Sequence, residues 1–222
     1  MKEKKVSVIL LAGGKGSRFG SSCPKQFISF KDKPIFQHSL ELFSSIDSIF
    51  EIIVVMEEAY RELVHLPCKF ALPGKERQDS VFNGLMQVDN KAQYVLIHDS
   101  ARPLIKKEDV LKVIDEAFCY GAATLAVPLK FTVKSSLKDL MVDKTLLRHT
   151  LYEVQTPQVV KKELLIQGFE KVQKENLLVT DDVSIVEELN HPVKLTLGSY
   201  SNIKITTLED LKQAHYLTDE KL

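Results

Sequence analysis

Three cations, Lys15, Arg18 and Lys25, fall within eleven residues in and just after a glycine-rich turn, Leu11-Ala-Gly-Gly-Lys-Gly-Ser-Arg-Phe-Gly20. The turn follows an apolar run, Val6 to Leu11, that reads as a buried strand. A glycine turn at the carboxyl end of a parallel strand is where backbone N–H groups close on phosphates. Two familiar phosphate loops fail here: Walker A needs Ser or Thr after the lysine and finds Gly16, and the dinucleotide fingerprint meets Phe19 where its third glycine belongs. The density of positive charge suits a triphosphate better than a pyrophosphate bridge.

Asp99 follows a second apolar run, Tyr94 to His98, which puts its carboxylate at the same edge of a sheet. There it is in reach of a ribose, a substrate hydroxyl or a magnesium ion. Arg102 lies three residues further on. No G-x-S-x-G elbow is present, and the six histidines lack metal-ligand spacing such as H-E-x-x-H. Protein ligands for a metal are therefore not identified from sequence.

The elements that must position these residues alternate. Short β-branched runs give strands over Val6–Leu11, Ile52–Met56, Lys69–Leu72, Tyr94–His98, Ala122–Val127, Val193–Leu197 and Ile203–Thr206. Between them, Phe36, Leu40 and Phe43 share one helical face, as do Val81, Leu85 and Val88, then Val110, Val113, Ile114 and Ala117, then Leu165, Phe169 and Val172. The alternation predicts parallel βαβ units in a three-layer α/β/α, Rossmann-like fold. Thr180 with Asp181 and Asp182 reads as a helix N-cap followed by two acids, and Thr207 to Asp210 as a capping box. Residues 129–154 break the rhythm: Lys130–Lys134 and Leu146–Val154 are extended in character, with a polar stretch between. We read this as a protruding β-arm, and since such an arm cannot bury its own apolar face, a homodimer is expected.

Composition narrows the functional classes. The 222 residues fit one domain, and 30 basic against 30 acidic residues leave no net charge to attract a polyanion, so no nucleic-acid partner is expected. The 44% hydrophobic and 27% charged content is that of an ordinary globular chain. Cys23, Cys68 and Cys119 are far apart and odd in number, which supports neither a disulfide framework nor a zinc cluster. The first apolar run is too short to cross a bilayer. A cytoplasmic protein without a membrane partner is expected.

Taken in order, the motifs L-A-G-G-x-G-x-R, P-K-Q at 24–26, Pro73 to Val81, Ile97 to Pro103, Thr156-Pro-Gln158, Thr180 to Asp182 and Asn202 to Thr206 resemble a known family. This is the 2-C-methyl-D-erythritol 4-phosphate cytidylyltransferase family of nucleotidyltransferases. The resemblance implies a mostly parallel nucleotidyltransferase fold and transfer of a cytidylyl group from CTP to a sugar phosphate with release of pyrophosphate. Mg²⁺ would be held mainly by the CTP phosphates. It assigns Arg18 and Lys25 to transition-state stabilisation. Ala12, Gly13, Gly14 and Gly16 become the backbone around the nucleotide, Gly74 a main-chain reader of the base, and Ser80 a hydroxyl near the cytidine. Asp99 and Lys204 serve both substrates. Arg102, Thr156 and Thr180 contact the methylerythritol phosphate, while Thr132 and Arg148 reach from the arm into the neighbouring subunit's site. Lys75 stands where the bacterial pattern has aspartate, Ser100 where alanine is commonest, and the arm is one residue shorter.

Ribitol 5-phosphate cytidylyltransferase shares several of these elements and is the near alternative; Asp79-Ser-Val-x-x-Gly-Leu85 resembles the methylerythritol enzyme instead. An NAD(P)-binding oxidoreductase and a non-catalytic nucleotide-binding protein are the distant ones.

Overall fold

The computed structural model describes residues 4–14 and 24–219, so the sequence expectations for Lys15, Gly16 and Arg18 lie outside the described residues. Strand β1 (Val6–Leu11) occupies the interior of a seven-stranded sheet because both of its faces are apolar. Val6, Val8 and Leu10 enter one core and Ile9 the other. That two-sided burial explains why the strand reads as a near-continuous hydrophobic run, broken by the buried Ser7, whose hydroxyl donates to Glu51 at 2.6 Å. β1 pairs in parallel with β4 (Ile49–Val55) on one side and with β6 (Tyr94–Asp99) on the other. β5 (Lys69–Ala71) extends the sheet beyond β4.

On the far side of β6 lies β10 (Tyr152–Lys161), antiparallel to β6 and to β7 (Ala122–Pro128), and β11 (Lys194–Leu197) closes that edge parallel to β7. The central sheet is therefore parallel apart from β10. One face is covered by α1 (Ile35–Ser44) and α3 (Lys107–Tyr120), which supply Phe36, Leu40, Phe43, Val110, Val113 and Ala117 to the first core. The other is covered by α2 (Arg77–Leu85) and α4 (Lys162–Glu175), through Val81, Leu85, Leu165, Phe169 and Val172. The faces expected from helical spacing are the buried ones. Gly121, at φ +86°, caps α3 by donating its N–H to the Ala117 carbonyl at 2.8 Å, and so turns the chain directly into β7.

A third, smaller core joins Phe30, Ile35, Ile205 and Ala214. Phe30 belongs to a short hairpin of β2 (Ser29–Phe30) and β3 (Lys33–Pro34), and Ala214 to the last helix, α6 (Leu208–Asp219). The capping box read at Thr207 is present: the Thr207 N–H donates to the Asp210 carboxylate at 2.9 Å, and the Asp210 N–H donates to Thr207 Oγ1 at 3.2 Å.

Three expectations are corrected. Ile203–Thr206 is not a strand; its alternating apolar residues serve the third core, and its Ile205 N–H donates to the Ala101 carbonyl at 2.8 Å without forming a ladder. Residues 155–161 carry the centre of β10, hidden from the sequence reading because the buried polar residues Gln155, Thr156 and Gln158 interrupt the apolar run. In the arm, the paired strands β8 (Lys134–Ser136) and β9 (Val142–Thr145) lie in and beside the stretch read as polar, while Arg148–Thr150 form a 3-10 turn. Tyr200 holds the base of this arm, donating its hydroxyl to the Pro128 carbonyl at 2.6 Å beneath the Lys130 ammonium.

Helix α2 packs tightly on the sheet at Gly84, where a Cβ would stand 2.6 Å from Ile9 Cγ2 and 3.2 Å from Val55 Cγ2. Both neighbours are fully buried β-branched side chains with no room to rotate away. Gly84→Ala is expected to lower stability by about 1–3 kcal/mol through overpacking, read as a lowered denaturation midpoint with an unchanged m-value. A gain in stability would show that the helix can lift at no cost.

Candidate active site at the carboxyl edge of the sheet

The ends of β1 and β6, the loop after β5 and the segment before α6 surround a cleft of about 460 Å³. Gly13, Gly14, Lys25, Gly74, Ser80, Asp99 and Lys204 line it, so most of the residues proposed for the nucleotide stand together. Ala12 is buried just behind them.

The loop after β1 is shaped by a residue the sequence reading quoted but gave no role. The Gln26 side-chain amide donates to the Ala12 carbonyl at 2.7 Å and to the Gly14 carbonyl at 2.9 Å, fixing the glycine backbone from below. Gly13 has to be glycine because a Cβ would overlap Pro73 Cγ at 2.5 Å. Across the cleft Gly74 is equally constrained, since its Cβ would meet that of Asp79 at 2.2 Å. The Gly74 N–H donates to Ser80 Oγ at 3.0 Å, while the Ser80 hydroxyl donates to the Glu76 carbonyl at 3.2 Å. Ser80 thus shapes the turn and occupies the Gly74 N–H. Asp79 completes a capping box with Glu76 at the start of α2.

Asp99 ends β6 and is 7% exposed. Its Oδ1 accepts from Arg77 Nε at 3.1 Å and its Oδ2 from Lys204 Nζ at 2.7 Å. Burial works to raise the pKa of this carboxyl, but the Arg77 and Lys204 charges outweigh it and hold Asp99 well below the usual carboxylate range. Arg77 also grips Asp182 with both terminal nitrogens, each at 2.7 Å. Despite burial, these two carboxylates raise its pKa above the ordinary arginine value.

Neither Arg77 nor Asp182 was singled out from sequence. Arg77 sits inside the quoted Pro73–Val81 motif, but Asp182 reads as a helix acid. That expectation is corrected here: α5 (Ser184–Glu187) starts later, the Ser184 N–H donates to Asp181 Oδ1 at 2.9 Å, and exposed Thr180 is not the cap.

Under the cleft runs a buried polar chain. Because a carbonyl only accepts, His98 Nε2 carries the hydrogen donated to the Arg102 carbonyl at 3.2 Å. His98 Nδ1 then accepts the Thr156 hydroxyl at 3.1 Å, and Thr156 Oγ1 accepts the Asp99 N–H at 3.0 Å. Thr156 therefore supports Asp99 from behind and does not line the cleft. Arg102 is also outside the lining, donating to the Asn202 carbonyl at 2.7 Å. Asn202 in turn donates to Gln155 Oε1 and the Thr156 carbonyl, which ties the Lys204 segment to β10. Exposed Thr132 and Arg148 stay on the arm, where Arg148 donates to the Lys130 carbonyl at 2.9 Å.

A glycine-walled cleft at the carboxyl edge of a mostly parallel, three-layer sheet, with cations gathered round one buried carboxylate, is the arrangement of an α/β nucleotidyltransferase. Over residues 6–220 the chain matches the family described as IspD, 2-C-methyl-D-erythritol 4-phosphate cytidylyltransferase, and it belongs to that family. The chloroplastic enzyme of that name from Oryza sativa subsp. japonica is 50% identical over all of this chain and 77% of its own length. The enzyme from Chlamydia abortus is 43% identical over 97% of both. Among solved structures, the 4-diphosphocytidyl-2C-methyl-D-erythritol synthase of Anaerococcus prevotii superposes with a TM-score of 0.87 at 30% identity, covering 99% of this chain and all of that one.

Full burial pushes the pKa of His98 down to about 3, so the ring is neutral in the folded protein. The unfolded ring titrates at about 6.5. Its contribution to stability is complete above pH 6.5 and is lost as the pH falls toward 3, by about 2 kcal/mol between pH 6.5 and 5. Urea midpoints at pH 7 and 5 should show a steeper acid loss in the wild type than in His98→Gln. Equal losses would mean that the folded ring protonates.

Proposed function

We propose that the protein transfers the cytidylyl group of CTP to 2-C-methyl-D-erythritol 4-phosphate, giving 4-diphosphocytidyl-2-C-methyl-D-erythritol and pyrophosphate in the non-mevalonate route to isoprenoids. The observation that carries this is that one cleft is lined both by glycine backbone at Gly13, Gly14 and Gly74 with Ser80 and by the cations Lys25 and Lys204 with the carboxylate of Asp99. Family membership over the whole chain supports it.

The reaction is in-line attack by an acceptor phosphate oxygen on the α-phosphorus, with pyrophosphate leaving. The nucleophile is already anionic, so no general base is needed, and catalysis consists of alignment and of balancing charge on the α-phosphoryl oxygens. Lys25 supplies that charge, with Arg18 as its partner. Gly13, Gly14 and Gly74 hold the nucleotide through main chain, and Asp99 fixes Lys204 toward the phosphates.

Among the described residues no cluster of three His, Cys, Asp or Glu could cage a metal, and both Asp99 oxygens already accept from cations. Mg²⁺ would then come with the triphosphate, whose oxygens would be its main ligands, and would supply charge neutralisation at the phosphoryl oxygens.

The arm supports a homodimer. It leaves Phe131, Leu140 and Leu147 largely in solvent, at 76%, 86% and 68% exposure, on a hairpin that pairs only with itself. In the dimer Thr132 and Arg148 would serve the acceptor phosphate of the neighbouring site, Arg148 through its bidentate fork, with Arg102 and Thr180 acting on the same substrate and Thr156 acting through Asp99, whose N–H its hydroxyl accepts. We read the 222 residues as one catalytic domain with this arm as a subregion. Among the described residues no helix is long and apolar enough to cross a membrane. Cys68 and Cys119 are unpaired, which supports a reducing, cytoplasmic setting.

With CTP and Mg²⁺, pyrophosphate release is expected with 2-C-methyl-D-erythritol 4-phosphate and not with ribitol 5-phosphate; release only with the latter would reassign the acceptor. Lys25→Ala should lower kcat by roughly two to three orders of magnitude with little change in KM, as loss of one transition-state donor does. Sedimentation should find a dimer that Leu140→Asp combined with Phe131→Asp splits into inactive monomers. A fully active monomer would remove the shared site.

A further inference from the structure

Arg77 lines the cleft, yet its charge is committed elsewhere. It opens α2, and three of its five N–H groups are spent: Nε on Asp99, and one from each terminal nitrogen on the two oxygens of Asp182. The Asp182 carboxylate is 1% exposed, and Arg77 is its only ion-pair partner among the described residues. Withdrawing Arg77 toward a ligand would strand a buried carboxylate, which is strongly unfavourable. Asp182 cannot follow, because the N–H groups of Asp182 and Val183 both donate to Gln158 Oε1, at 2.9 and 3.0 Å. Gln158 is itself rooted in β10 and donates to Asp181 Oδ2 at 3.0 Å.

We infer that Asp182 and Arg77 are a positioning pair for the transfer: Asp182 fixes the guanidinium of Arg77 from behind, and Arg77 fixes the carboxylate of Asp99 opposite Lys204. The inference rests on the cytidylyl-transfer reading and assigns to it two residues that do not themselves touch the phosphates. Charges alternate along the row, Asp182, Arg77, Asp99, Lys204, so each is neutralised by its neighbour. The wall is thus set before a ligand arrives, and little reorganisation is left for the reacting step. Arginine is required at the second place, because only a planar fork reaches two carboxylates in different directions; a lysine keeps the charge but offers a single point.

A merely structural pair would tie α2 to the loop before α5 and matter to stability alone. The test compares wild type, Arg77→Lys, Asp182→Asn and the double variant in steady-state pyrophosphate release with CTP, Mg²⁺ and 2-C-methyl-D-erythritol 4-phosphate, alongside Tm and circular dichroism. Each single variant is expected to lose about 10- to 100-fold in kcat, the scale of a small misplacement at the reacting centre, with KM for CTP within about three-fold. The double variant should be no slower than the worse single, as for residues that act as one unit.

Lowered Tm with unchanged kcat would overturn the inference, as would losses that multiply in the double variant. A loss carried by KM for CTP would also overturn it, by making Arg77 a direct nucleotide contact. If Asp182→Asn does not fold, Arg77→Lys, at a partly exposed side chain, decides alone by the same kcat and Tm criterion. Wild-type protein that releases no pyrophosphate with any acceptor would instead remove the transfer reading, and the pair's role with it.

Discussion

A carboxylate at the end of β6 has to remain charged while almost out of contact with water, and much of the cleft is arranged round that requirement. An isolated carboxylate in such surroundings would take up a proton. Asp99 stays ionised because Arg77 and Lys204 each claim one of its oxygens. Those two cations come from opposite walls, one from the first turn of α2 and the other from the segment before α6. The pairing therefore determines where both walls stand. Remove the negative charge, and two positive groups would stand close together without the carboxylate that pairs with both.

The main chain follows the same logic. Gly13 and Gly74 lack side chains because Pro73 and Asp79 occupy the places a Cβ would take, so the two turns press together and present backbone to the cleft. Gln26 and Ser80 then satisfy groups that the turns leave over, the first as donor to two carbonyls and the second as acceptor of an amide. The apolar cores on the two faces of the sheet supply the rigidity, and the third core, through Ile203 and Ile205, holds the stretch that carries Lys204. Binding groups are thus placed by packing that has no chemistry of its own.

Much of this was legible in the sequence. The βαβ alternation located most of the parallel strands, and the glycine turn and Asp99 were recognised as edge residues from their position after apolar runs. What stayed hidden was polar and buried. Gln155, Thr156 and Gln158 look like a loop because nothing in their composition shows that each has a partner inside the protein. Asp182 looks like a helix acid because pairing with a residue 105 positions away leaves no local trace. Ile203–Thr206 failed in the opposite direction: an alternating pattern reports burial on one side, and a small satellite core meets that need as well as a sheet does. The arm's register is set by a two-stranded pairing that has no apolar face inside its own chain to announce it.

The place of β10 also governs how the molecule comes into being. It is made after every other strand of the sheet except β11, yet it lies between β6 and β7, which cannot pair with each other across the gap it fills. On the ribosome, a nascent chain that has produced everything up to the arm carries two apolar strands, each with an open edge, until residue 161 has emerged. Open edges of this kind invite pairing with other chains. The burden on cellular chaperones thus falls late in translation, in the interval needed to make the arm and the strand behind it.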